Sequence, residues 1–124
     1  MTDLETDIKG SFKCFENAPA FRKEGKEYIL EGRLYCCVEG YRELDDVFNV
    51  AITIPFNFST ALPTVVEKDG KIPRTTECHM DAKGKCCLGT KIALFDYMHS
   101  KKINSFCQFL EQIVIIHFFQ VNTF

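Results

Sequence analysis

Two stretches of strict alternation constrain this chain most. Apolar side chains fall at Tyr28, Leu30, Leu34, Cys36 and Val38, and again at Phe48, Val50, Ile52 and Ile54. A period of two places each set on one face of a strand, so both stretches read as half-buried strands of one sheet. The polar run from Glu39 to Asp46 between them reads as a hairpin connection. Pro55 has no N–H to give to a ladder and stops the second strand. Phe56 to Ala61 then makes a short loop, Leu62 to Glu67 a third strand, and Lys68-Asp69-Gly70-Lys71 a turn.

Helical spacing flanks this core. Leu4, Ile8, Phe12 and Phe15 predict an amphipathic helix up to about Asn17, with Gly10 as a weak point and Pro19 closing the segment. After Gly89 the chain reads as helical, with Thr90 or Gly89 near one start and Ser100 near another. Ile103, Phe106, Leu110, Ile113 or Val114, and His117 recur at three or four residues. The β-branched run Ile113-Val114-Ile115-Ile116 would also suit a strand. A helix, an antiparallel meander, a long loop and closing helices on one face make an α+β fold. At 124 residues there is room for one core, so residues 1–124 are expected to form a single domain.

Charge and cysteine content narrow the function classes. A net charge of -2 and a pI near 5.9 give no basic field for phosphates, which argues against a nucleic-acid partner. Seven cysteines follow an acidic, polar start whose chemistry is wrong for a signal peptide. They read as free thiols in a reducing, cytoplasmic setting. The greasiest stretch, Ile103 to Phe119, is broken by Gln108, Glu111, Gln112 and His117. A membrane span needs about 20 mostly apolar residues, so a buried terminal helix fits better.

Between Ile72 and Gly89 no periodicity persists, and the segment Cys78-His79-Met80-Asp81-Ala82-Lys83-Gly84-Lys85-Cys86-Cys87-Leu88-Gly89 is dense in reactive groups. Three readings compete for it. Zinc held by Cys78, His79, Cys86 and Cys87 would need two ligand pairs, each spaced by two to four residues, whereas both pairs here are adjacent. Small sulfur side chains filling a core are the ordinary reading of any one cysteine, and it suits Cys14, Cys36 and Cys107. Cys86, in an extended segment, would point away from its neighbour and into the core. The third reading is a surface nucleophile, because thiolates form thioesters that amines attack and Gly84 permits a tight bend before Cys87.

In combination, Pro55, Phe58 and Pro63, followed by Ile72-Pro73-Arg74, His79, Gly84 and Cys87-Leu88-Gly89, resemble the ubiquitin-conjugating enzymes in order and spacing. The likeness spans roughly Tyr28 to Gly89 and is strongest to the compact bacterial relatives. Some of these sit in antiphage operons of the CBASS type beside a cGAS-like nucleotidyltransferase. The resemblance implies a UBC-like fold and acyl transfer without metal or organic cofactor. Cys87 would take the C-terminal acyl group of a donor protein as a thioester and pass it to an amine or other nucleophile. A cGAS-like nucleotidyltransferase is the donor class it suggests, with an activating enzyme as a further partner. Cys87 is selected over Cys86 because the nucleophile immediately precedes Leu-Gly. His79 is carried over chiefly as loop support, with general base as its second role.

Two departures separate the chain from eukaryotic members. They follow the histidine with Pro-Asn, and this chain has Met80 and Asp81. An ionised Asp accepts hydrogen bonds but donates none, so it cannot hold an oxyanion as Asn can. The spacer from His79 to Cys87 is also shorter. A non-catalytic protein-binding module of the same fold is the alternative function.

Overall fold

In a computed structural model, residues 3–36 and 46–121 are described. Four antiparallel strands in the order β1-β2-β3-β4 form one sheet: Ala20–Glu24, Glu27–Cys36, Asp46–Pro55 and Thr64–Glu67. The register opposes Leu30 to Ile52, Leu34 to Phe48, and Ile52 to Val65. All the alternating positions named above that are described lie in the core, from Tyr28 to Cys36 and from Phe48 to Ile54. Val38 and the expected hairpin connection up to Asp45 lie outside the described residues.

The opposite face of the sheet is charged. Glu31 of β2 stands between Arg22 of β1 (2.9 Å) and Lys68, just past β4 (2.8 Å), on the solvent side. Both cations hold the Glu31 carboxyl below its usual range, Lys68 most strongly. Exposed pairs of this kind contribute little to stability but fix which face meets water.

Three expectations are corrected. The first helix, α1, covers Asp3–Gly10 only; Ser11 turns its hydroxyl back to the Ile8 carbonyl, and a single 3₁₀ turn at Phe12–Cys14 follows. Gly10 and the Ser11 back-bond supply the reason for the early stop. Strand β1 is an addition to the expected elements, since only Phe21 of Ala-Phe-Arg-Lys-Glu is partly buried and an edge strand with one such side chain shows no alternation. Ser100 ends a helix and does not begin one. Helix α2 runs Lys91–Ser100 under a Thr90 cap (Ala93 N–H to Oγ1, 3.2 Å), and the next start is capped by Ser105.

The closing segment is helical throughout its β-branched run: α3 at Phe106–Phe109, a π-helical turn at Leu110–Val114, then α4 at Ile115–Val121. Ile113, Val114 and Ile115 are all buried in succession. A uniform α-helix turns consecutive residues by about 100°, so three in a row require an unusually wide buried face, which the extra residue of a π turn helps to accommodate. This helix covers the inner face of the sheet, with Phe118 against Phe48 at 4.9 Å between ring centroids. Phe48, Phe106, Phe109 and Phe118 are fully buried, each stabilising the fold by roughly 2–3 kcal/mol. The loop after β3 is pinned to the same helix by Phe58, edge-on to Phe106 and Phe109. Pro55, Phe58 and Pro63 thus steer the chain around the end of the sheet into β4.

Candidate functional site

The site is built on the free edge of β4. Past Glu67 the chain turns through Lys68–Gly70, and the buried Glu67 carboxylate accepts the N–H groups of Asp69 (2.8 Å) and Ile72 (3.0 Å). A string of tight turns follows, in which Thr75 O accepts from both Cys78 and Met80 N–H groups. His79 then adopts a left-handed backbone, φ 55°, a conformation histidine enters more readily than most side chains.

Met80 to Cys86 form a small hairpin. Asp81 N–H donates to the Lys85 carbonyl (3.0 Å), and Met80 bridges to Cys86. The Asp81 carboxylate closes the tip by accepting the N–H groups of Lys83 (2.8 Å) and Lys85 (2.9 Å). These two amides, Lys85's first, hold the Asp81 carboxyl below its usual range.

The outgoing arm of the hairpin docks on the sheet. Glu67 N–H donates to Gly84 O and Cys86 N–H donates to Val65 O, both at 2.8 Å, and Lys85 bridges to Val66. This pairing makes the segment extended, and extended backbone sends neighbouring side chains to opposite sides. Cys86 therefore enters the core and Cys87 faces solvent, the arrangement expected of an extended segment here. Burial, with Glu67 and Asp81 adding repulsion, pushes the Cys86 thiol up to about 12. It stays protonated and inert.

Cys87 is fixed through its backbone. Its N–H donates to His79 O at 2.8 Å, so the left-handed turn at His79 locates the nucleophile candidate. The His79 ring is exposed and makes no hydrogen bond to Cys87. There is no thiol–imidazole dyad among the described residues, and His79 acts here as a positioning residue. The geometry also parts the four ligands of the zinc reading, since Cys86 and Cys87 point away from each other. No group of three or more His, Cys, Asp or Glu able to hold a metal is found among the described residues.

Cys87 opens onto a cleft of about 830 Å³. Its walls are Ala61, Leu62 and Pro63 from the loop before β4, and Leu94 and Phe95 from α2. His79, Asp81, Lys85 and Lys91 supply ionisable groups. A smaller cavity of about 310 Å³ lies behind Leu88 and Leu94, which line both. His117, on the closing helix, lines this second cavity and meets the His79 ring edge-on at 6.1 Å. Its Nε2 is buried with no hydrogen-bond partner among the described residues. Burial, and to a lesser degree His79, lowers its pKa, which favours the neutral ring.

Sequence reasoning missed His117, Lys91 and the loop before β4 as parts of this site. A histidine at helical spacing in an apolar run reads as core, and no local signal shows that it faces His79.

The Asp81 clamp gives a first prediction. Its folded pKa is depressed, so the stabilisation it lends is complete above the ordinary carboxylate range and is lost as pH falls through the folded value. The protection factors of the Lys83 and Lys85 amides, measured against their intrinsic exchange rates at each pH, are expected to fall in Asp81→Ala at neutral pH, and in the native chain only on acidification. Unchanged protection in Asp81→Ala would show that the carboxylate does not hold the tip.

No helix among the described residues is long and apolar enough to cross a membrane. No family model, no curated protein and no solved structure matches the chain.

Proposed function

We propose that this chain is a UBC-like acyl carrier in which Cys87 holds the C-terminal acyl group of a donor protein as a thioester. One observation carries the reading: two adjacent cysteines are sorted by the β4 edge so that Cys86 is buried and Cys87 is exposed at the cleft of about 830 Å³. The order of elements supports it as well. A short helix, a four-stranded meander, a Pro-Phe-Pro loop, a cysteine just before a helix and a closing helix follow the sequence expected of the ubiquitin-conjugating enzymes.

The chemistry is balanced within the site. The Cys87 thiolate attacks an activated acyl carbon, the tetrahedral intermediate collapses, and the carrier's previous thiol leaves. An amine then attacks the new thioester, giving an amide and returning Cys87 as a thiol after loss of the amine's proton. The oxyanion needs donors in place of the missing Asn. Cys87's own N–H is committed to His79. The N–H groups of Leu88 and Gly89, which have no partner among the described residues, are the candidates. Asp81 spends one oxygen on its turn, and as a carboxylate at the cleft its role would be to orient the amine. A cGAS-like nucleotidyltransferase remains the donor class that the resemblance suggests, with cytoplasmic antiphage defence as its setting.

The second reading, a non-catalytic binding module, is favoured by the same Asp81, which donates nothing to an oxyanion. One experiment separates the two. Load the chain with a peptide bearing a C-terminal thioester, purify the Cys87 adduct, and add free lysine. An acyl carrier discharges to lysine at least about tenfold faster than the same acyl group on a short cysteine peptide, the lower end of what a positioned site contributes. Equal rates leave the binding module.

A further inference from the structure

We propose that Cys14 and Cys107 form a second reactive site, a dithiol that low-molecular-weight disulfides such as oxidised glutathione convert to an intramolecular disulfide. It lies away from the cleft and does not depend on the acyl-carrier reading.

The two sulfurs come from opposite ends of the chain and share one acceptor. Cys107 Sγ lies 3.3 Å and Cys14 Sγ 4.0 Å from the same oxygen, Glu111 Oε1. Both cysteines are half-buried, free and reachable from solvent. Cys14 ends the 3₁₀ turn after α1, and Cys107 and Glu111 stand one turn apart on the closing helix. The backbone is already held in this arrangement. The Asp7 carboxylate of α1 accepts the N–H groups of Phe106 and Cys107, capping the start of α3. Asp7 is thus a second tether between the same two segments, and a covalent bond there would join parts that are already docked. Glu111 stands as the hydrogen-bond acceptor for both thiols and so keeps the two sulfurs beside one oxygen.

The reaction closes without an unnamed reagent. One thiolate attacks a sulfur of oxidised glutathione, giving a mixed disulfide and one glutathione thiol. The second thiolate attacks the protein sulfur of that adduct and expels the second glutathione. The protein loses two protons and two electrons, which the two glutathione thiols carry away. Glu111 restrains the first step. Burial and this carboxylate raise both thiols, Cys107 up to about 11, while Lys13 opposes the effect. Asp7 also faces Cys107 across its backbone N–H. The pair is therefore slow to oxidise and resists casual air oxidation.

The test treats the intact chain with oxidised glutathione and maps its disulfides by mass spectrometry. The expected product is a cross-linked peptide pair joining Cys14 to Cys107, two hydrogens lighter than the reduced pair and reversed by dithiothreitol. The bond closes a long loop and is expected to raise Tm by about 10 °C. Cys14→Ser and Cys107→Ser should each remove the cross-link and leave the remaining cysteine as a glutathione adduct. Glu111→Gln, at an exposed position, should speed cross-linking by about threefold, since a lower thiol pKa raises the thiolate fraction more than it lowers nucleophilicity. Stable glutathione adducts on both native cysteines, no modification of either, or pairing of one with a different cysteine would each overturn the proposal. A Glu111→Gln rate equal to or below that of the native chain would overturn the restraining role of the carboxylate.

Discussion

Replacing Cys87 with Ala is expected to abolish the reducible acyl adduct completely, and replacing its neighbour Cys86 with Ala is expected to leave it. The two residues differ by one position and by everything that matters chemically. Cys87 is exposed at the cleft, and Cys86 is buried and 6% exposed. With its thiol pushed up to about 12, Cys86 presents roughly one thiolate in ten thousand at about pH 8. Alkylation by iodoacetamide should therefore mark Cys87 at least about a hundredfold faster than Cys86 in the folded chain, and the two should converge in denaturant. Cys86→Ala removes only a sulfur from the core at a cost of about 1–2 kcal/mol, so the variant should still fold. Cys87→Ser should retain the acyl group as an oxyester that resists thiols. An adduct that persists in Cys87→Ala, or vanishes only in Cys86→Ala, would place the nucleophile elsewhere.

The second large effect is expected at Gly84. Its φ of 85° lies in the region that favours glycine, and a Cβ built there would sit 2.4 Å from the Glu67 carbonyl oxygen and 3.1 Å from the Arg74 guanidinium. The arginine end can swing away, but the carbonyl is backbone of β4 and cannot. Gly84→Ala must therefore push the hairpin off the β4 edge, breaking the 2.8 Å bond from Glu67 N–H to Gly84 O and then its neighbour from Cys86 to Val65. Strain and overpacking together should cost about 2–4 kcal/mol, lowering Tm by about 10 °C. Gly25 is the matched control. It has φ 61°, but nothing lies within 4 Å of the point an added Cβ would occupy, so Gly25→Ala carries only the conformational cost of about 1–2 kcal/mol. Once the hairpin lifts, Cys86 is uncovered, and its alkylation should quicken in Gly84→Ala and not in Gly25→Ala. Equal losses of Tm in the two variants, with Cys86 still protected in both, would remove the β4 edge as the element that sorts the two thiols.

Both predictions turn on the same few backbone bonds, and these explain the uneven legibility of the site. The left-handed turn at His79 and the hairpin at Asp81–Gly84 are local, and their residue types suit them: a histidine that tolerates positive φ, an Asp that caps two following amides, a glycine where no side chain fits. What the turns are turned against is not local. Cys86 faces inward because Val65, about twenty residues earlier, offers its carbonyl at the sheet edge. The edge strand β1 is silent in the sequence for a related reason. A strand that turns a single side chain, Phe21, toward the core carries no alternation, and its pairing with β2 is known only from the partner.

The sequence alone determined the two central strands, the proline that ends the second of them, the turn after Glu67 and a helix start at Gly89 or Thr90. In each case the cause acts within a few residues: side-chain period, a missing N–H, a capping hydroxyl. Only the tertiary structure decided that His117 comes to face His79, that a cleft opens beside Cys87, and that Cys14 meets Cys107 at one carboxylate oxygen. Those arrangements join segments far apart in the chain, and their stability comes from burying the shared inner face of the sheet under the closing helix, a cause that no short window of residues contains.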